Sequence, residues 1–146
     1  MKWRSTRWYV PALLILMALS LFPLASCVGS SGGSQASTFY NAGAADISVT
    51  GAQFAQYSLY RFDTTASAHI LALPSASDIV ANLSSPVAGE VLPFAVTADG
   101  SHTVTLIGGT NVTVKPSAST VAGNTTLTIY CELDNVTSGS EAVTIY

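Results

Sequence analysis

"TLTIYCEL", residues 126–133, alternates without a break. Leu127, Ile129, Cys131 and Leu133 fall on one side, and Thr126, Thr128, Tyr130 and Glu132 on the other. A period of two with one apolar and one polar side describes a strand that covers a core with one face and meets water with the other. The same pattern recurs on both sides of it. "EVLPFAVTA" (90–98) places Leu92, Phe94 and Val96 together, with Pro93 predicting a bulge or an edge position, because proline cannot donate to a ladder. "HTVTLIGG" (102–109) turns Val104 and Leu106 inward, "NVTVKP" (111–116) does so with Val112 and Val114, and "SEAVTIY" (140–146) runs to Tyr146. Asp99-Gly100 reads as a hairpin turn and "DNVTSGS" as a longer one.

Upstream the strands continue with one interruption. "QYSLYRFDTT" (56–65) sets Tyr57, Leu59 and Arg61 against Ser58, Tyr60 and Phe62, and "AHILALP" (68–74) is a short apolar strand stopped by Pro74. "FYNAGAADISVTGAQF" (39–54) holds a short alternating piece around Ile47 and Val49. In "SASDIVANLSS" (75–85) the period changes. Ser75 is a cap, Asp78 stands three residues on, and Ile79, Val80 and Leu83 share one side of a helix of two to three turns. Seven or eight short strands at hairpin spacing with one short helix predict a mainly β fold, a single β-sandwich or jelly-roll-like domain over residues 38–146. Thr dominates the outward positions, and neutral sheets with open edges favour packing against copies of themselves, so a homo-oligomer is an expectation.

The first 37 residues have a different composition. Lys2, Arg4 and Arg7 precede an almost unbroken apolar run from Trp8 to Ala25, the layout of a secretory signal peptide. The run is near the lower limit for crossing a bilayer, which leaves an uncleaved anchor as the competing reading, although Pro11 and Pro23 interrupt a regular helix. Leu24-Ala25-Ser26-Cys27 resembles the lipobox of bacterial lipoproteins. The resemblance implies cleavage after Ser26, a diacylglycerol thioether on Cys27 and often a further acyl chain on the new amine. It divides the chain into a signal peptide (1–26), a lipidated Cys27 with a Gly/Ser tether (27–37), and the domain. Two or more acyl chains make anchoring stable, at about 0.8 kcal/mol per buried CH₂. "VGSSGGS" (28–34) reads as a flexible leash, and about ten such residues span roughly 17 Å root-mean-square. The lipoprotein resemblance implies an exported, membrane-anchored protein, on the outer membrane if the cell has one, since Val28 is not the Asp that favours inner-membrane retention.

Charge narrows the partners. Beyond residue 26 only Arg61 and Lys115 oppose all eight acidic residues, a formal net charge of −6. Nucleic-acid binding wants a basic face and is disfavoured, as is docking on anionic lipid. With Cys27 lipidated, Cys131 is left without an intrachain partner and reads as a small buried hydrophobe.

Chemistry-bearing motifs are sparse. His69 and His102 are the only histidines and sit on separate strands, with no His or Cys at ligand spacing, so neither a metal nor another cofactor is expected. There is no G-x-S-x-G, phosphate loop or paired-cysteine motif. Asn82, Asn111, Asn124 and Asn135 match N-x-[ST] and read as turn residues. Tyr57, Tyr60, Phe62, Tyr130 and Tyr146 form a candidate aromatic platform for sugars, with Tyr57, Tyr60 and Tyr130 the candidate surface-contact residues, though alternation sends Tyr57 and Tyr60 to opposite faces and core or interface packing is the competing use.

Leu73-Pro74-Ser75-Ala76, Gly108-Gly109-Thr110-Asn111-Val112 and the stretch from Asn135 to Tyr146 resemble a β-rich domain of phage and other viral structural proteins. The resemblance covers residues 70–146 and implies assembly and surface display, with no catalytic residues. Those virion domains do not usually follow a lipobox, so this one is expected on a host envelope or a lipid-containing particle. The expectation is a non-enzymatic, membrane-tethered lipoprotein of phage or prophage derivation acting in assembly or surface contact. The alternative is a bacterial envelope lipoprotein that binds a glycan or a partner protein.

Overall fold

The computed structural model describes residues 38–146. The signal peptide, Ser26, Cys27 and the tether lie outside the described residues. Along the chain run β1 (Phe39–Gly43), β2 (Ile47–Ser48), α1 (Gly51–Gln56), β3 (Leu59–Phe62), β4 (His69–Ala72) and α2 (Ala76–Asn82). Then follow β5 (Val91–Ala98), β6 (Val104–Ile107), β7 (Val112–Val114), a 3₁₀ turn (Pro116–Ala118), β8 (Thr120–Val121), β9 (Thr125–Asn135) and β10 (Ala142–Ile145).

The fold is mainly β, with two sheets closing on one core. A six-stranded sheet has the order β1-β3-β5-β9-β10-β7, and a four-stranded sheet the order β2-β4-β6-β8. Tyr60, Phe62, Phe94, Val96, Ile129 and Leu133 come from the first, Leu71, Val104, Leu106 and Val121 from the second, and all join a single buried cluster. Edge-to-face ring contacts, Phe54 with Phe94 at 5.4 Å and Tyr60 with Phe94 at 6.2 Å, lie within it.

The route through these sheets differs from a run of hairpins. Consecutive strands from β1 to β6 alternate between the two sheets, so β1, β3 and β5 pair in parallel in one, and β2, β4 and β6 pair in parallel in the other. The chain therefore winds as a coil of three turns. Alternation alone does not reveal this, because a half-buried strand reads the same whether its neighbour is parallel or antiparallel. Asp99-Gly100 accordingly does not close a hairpin. It carries the chain from β5 across to β6, with Gly100 so close to the Thr64 backbone that a Cβ would meet the Thr64 carbonyl carbon at 2.4 Å. Antiparallel pairing is confined to β5–β9, β9–β10 and β6–β8.

Two helices fill equivalent places in successive turns, each returning the chain from the smaller sheet to the larger. The expected helix is α2: the Ser75 hydroxyl accepts from the Asp78 amide at 3.2 Å and donates to its carboxylate at 2.8 Å. Ile79 and Val80 are buried and Leu83 packs against the core. The second helix, α1, was not anticipated. It is held by a capping box, in which Thr50 Oγ1 accepts from the Gln53 amide at 3.2 Å and Gln53 Oε1 accepts from the Thr50 amide at 3.0 Å.

Pro93 sits in β5, between β3 and β9. The Ala95 N–H donates to the Ser58 carbonyl, so by alternation the Pro93 nitrogen faces the same side, where β3 has not yet begun. No ladder bond is lost, and locally the position is an edge, as the proline predicts. Asn111 and Asn124 have φ of 59° and 56°, and Asn135 accepts from the Thr137 amide, which are turn geometries for three of the four N-x-[ST] asparagines.

Candidate functional site

The outward side of the six-stranded sheet is built by default. Once Tyr60, Phe94, Ile129 and Ile145 face the core, their neighbours must face out. Cross-strand register then sets Phe39, Leu59, Ala95 and Thr128 in one row. Pro93 and Tyr130 start the next row, and Tyr146 continues it by exchanging both backbone hydrogen bonds with Tyr130. These two rows form a belt with no charged side chain. Phe39 is 46 % exposed, Tyr130 49 % and Tyr146 45 %, so three large rings meet solvent within two adjacent rows.

Charge begins only at the margins of the belt. On one side Arg61 pairs with Asp99, and the Thr97 and Thr126 hydroxyls bond at 2.8 Å. On the other, Glu132 stands across from Thr144, whose hydroxyl donates to Asp134 at 2.7 Å. The Tyr146 hydroxyl donates to Glu132 at 2.7 Å, and that bond raises its pKa above the usual phenol range. Two tyrosines side by side, one bonded to a carboxylate, offer apolar ring surface with hydrogen-bonding edges.

The three tyrosines singled out by sequence separate. Tyr130 is on the belt. Tyr57, at the end of α1, is half-buried with its ring edge-on to Tyr40 at 5.2 Å. Tyr60 is fully buried and is corrected from contact residue to core: its hydroxyl donates to the Gln53 carbonyl at 3.3 Å, tying α1 to the sheet. Burial pushes its phenol well above the ordinary range. Tyr146, a member of the aromatic set, lies on the belt, Phe62 of that set is fully buried, and Phe39 was missed as a contact residue. Alternation in "TIY" signals an outward Tyr146, whereas Phe39 is placed outward only by its pairing with Leu59.

A polar cluster lies where β1, β3 and β4 begin or end their loops. His69 is 6 % exposed, and its Nδ1 lies 3.3 Å from Asp46 Oδ1 while its Nε2 lies 3.3 Å from Ser67 Oγ. The order carboxylate, imidazole, hydroxyl is that of a nucleophilic relay. Here, though, the imidazole is stacked on Phe62 at 6.2 Å, and the same Asp46 oxygen also accepts the Ile70 amide at 2.9 Å. The arrangement satisfies a buried imidazole and pins the loop before β2 to β4. His102 plays a similar part, its Nδ1 donating to the Thr64 carbonyl at 2.9 Å.

Cys131 is free and fully buried, and burial pushes its thiol up to about 12. Among the described residues, no group of three or more His, Cys, Asp or Glu side chains is placed to hold a metal ion, and no helix is long and apolar enough to cross a membrane. No protein-family model matches the chain, and neither does any curated protein or solved structure.

Proposed function

We propose that this chain is a lipid-tethered, non-enzymatic surface protein that works by contact, with the outer face of its six-stranded sheet as the contact surface. The observation that carries the reading is the belt of half-exposed Phe39, Tyr130 and Tyr146, free of charged side chains, on a sheet whose other face packs against the core. Large apolar and aromatic side chains grouped on one exposed face mark a contact surface, whereas singly scattered ones do not. The lipobox-like Leu24-Ala25-Ser26-Cys27 supports the tether, and the stretches that resemble virion domains support a phage or prophage origin with a role in display or assembly.

The test has two arms. Cys27→Ser is expected to abolish acyl labelling and either free the product or leave it uncleaved; labelling that persists overturns the tether. Quantitative mass spectrometry of purified particles against washed host envelopes then places the protein. Enrichment in particles in step with the major capsid protein makes it a structural component, and retention in the envelope makes it a host-surface lipoprotein.

A second reading, an envelope lipoprotein that binds a glycan, is favoured by the pairing of Tyr130 and Tyr146 beside Glu132. Flat aromatic rings stack on the C–H faces of sugars and carboxylates accept from their hydroxyls. Retention on an immobilised cell-wall polysaccharide that is lost in Tyr130→Ala would establish it.

A further inference from the structure

We propose that the belt on the six-stranded sheet docks on the lipid surface to which Cys27 tethers the chain. The occupant is the zwitterionic headgroup and upper acyl region of a bilayer. The proposal rests on the lipid-tether reading and names the partner of the contact face.

Chain length makes the first argument. Thr38 leads directly into β1, whose Phe39 is the rim residue of the belt. Ten residues separate Cys27 from Thr38, and even fully extended the eleven steps between them reach no more than about 40 Å. A belt whose rim is held this close meets the bilayer as an intramolecular partner, at an effective concentration no soluble partner matches.

Chemistry makes the second. Tyr settles at membrane interfaces because it combines an apolar ring with a polar tip, and Phe adds apolar ring surface that can enter the upper acyl region. Phe39, Leu59, Pro93, Tyr130 and Tyr146 supply such a surface, and the carboxylates of Glu132 and Asp134 stand at its margin rather than within it. Attraction to anionic lipid is absent, since Arg61 is already paired with Asp99 and the domain is strongly acidic. The belt therefore suits a neutral interface. Docked this way, the domain turns the outer face of its four-stranded sheet, with Ile70 and Ile107, away from the membrane.

The sequence provides the probe. Both tryptophans, Trp3 and Trp8, lie ahead of the cleavage point, so the matured chain has none. Tyr130→Trp places a lone indole on the belt, and Ile107→Trp places one on the opposite sheet. Each acylated, matured chain is reconstituted into phosphatidylcholine–phosphatidylethanolamine vesicles whose acyl chains carry bromine, and indole quenching is measured. An interface burial of about 5–10 Å predicts quenching at position 130 about twofold or more above that at position 107. Equal quenching at the two positions, or the reverse order, overturns the docking. Shielding of the indole at position 130 that is unaffected by bromine but rises with protein-to-lipid ratio assigns the belt to a second copy instead, and also overturns it. Tyr146→Trp repeats the measurement should Tyr130→Trp fail to fold. Intact mass, read beforehand, separates the two claims: a chain with no lipid on Cys27 overturns the tether and the docking together, whereas a lipidated, vesicle-bound chain with an unquenched belt overturns the docking alone.

Discussion

Cys131 carries a single thiol into a fully buried setting, and the consequence is a pH dependence with a definite sign. Its pKa is raised from the ordinary 9.0 to about 12, first by burial and then by the charge of Asp134. The folded chain thus keeps a proton that the unfolded chain gives up, so stability is complete below pH 9 and falls as pH rises toward 12, at about 1.4 kcal/mol per pH unit for one group. Tyr60, raised above its ordinary 10.0 by burial, adds to the loss from pH 10 upward. Urea unfolding of Cys131→Ala between pH 9 and 10 is expected to lose that slope; an unchanged slope would count against a buried thiol as its source. Thr64 offers the opposite kind of test. Its hydroxyl is completely buried and has no hydrogen-bond partner among the described residues. Replacing it with a methyl group removes an uncompensated desolvation, so Thr64→Val is expected to gain about 1 kcal/mol in the same assay. The inward set in "TLTIYCEL" is plain from alternation, and Cys131 with it. Nothing local announces the Asp46–His69–Ser67 contact, because the carboxylate comes from 23 positions upstream and is brought in by the winding of the chain.

Strands could be recognised one by one, since each needs only its own alternation, and α2 because Ser75 and Asp78 bracket its start. Their partners could not, because the parallel coil is fixed by how loops cross between sheets. α1 escaped for a different reason. Six residues complete too little of a helical period to stand out, and its signal is the pair Thr50 and Gln53 rather than any apolar stripe. What makes α1 necessary is visible only in three dimensions. Gly51 lets it approach α2 so closely that a Cβ there would lie 2.2 Å from the Asp78 carbonyl oxygen, a backbone atom that cannot swing aside. Alanine's gain in helix propensity over glycine is about 1 kcal/mol, while forcing two packed elements apart costs typically 1–3 kcal/mol and more at so short a distance. The clash wins. Gly51→Ala is expected to destabilise the domain by about 2 kcal/mol in chemical denaturation, and a variant as stable as the parent would show that the two helices are not held at this spacing.

At the scale of the molecule, two features act together: a belt free of charged side chains on one face and a strongly acidic domain behind it. Only Arg61 and Lys115 offset eight carboxylates, and Arg61 is already paired. Seating the belt on a neutral bilayer brings these charges near a surface that carries none, so ionic strength has little to screen. Adding phosphatidylglycerol changes this. The surface becomes negative, Glu132 and Asp134 at the margin of the belt approach it, and the domain is repelled while the acyl chains still hold the chain to the vesicle. Screening acts over about 10 Å at 0.1 M salt and about 3 Å at 1 M, so added salt should restore the contact. Bromolipid quenching of Tyr130→Trp is therefore expected to be insensitive to salt on zwitterionic vesicles. It should fall as phosphatidylglycerol is added at low salt and recover at high salt. A belt that bound more firmly to the anionic vesicles would contradict this at its root, because it would require a basic surface that the described domain does not possess.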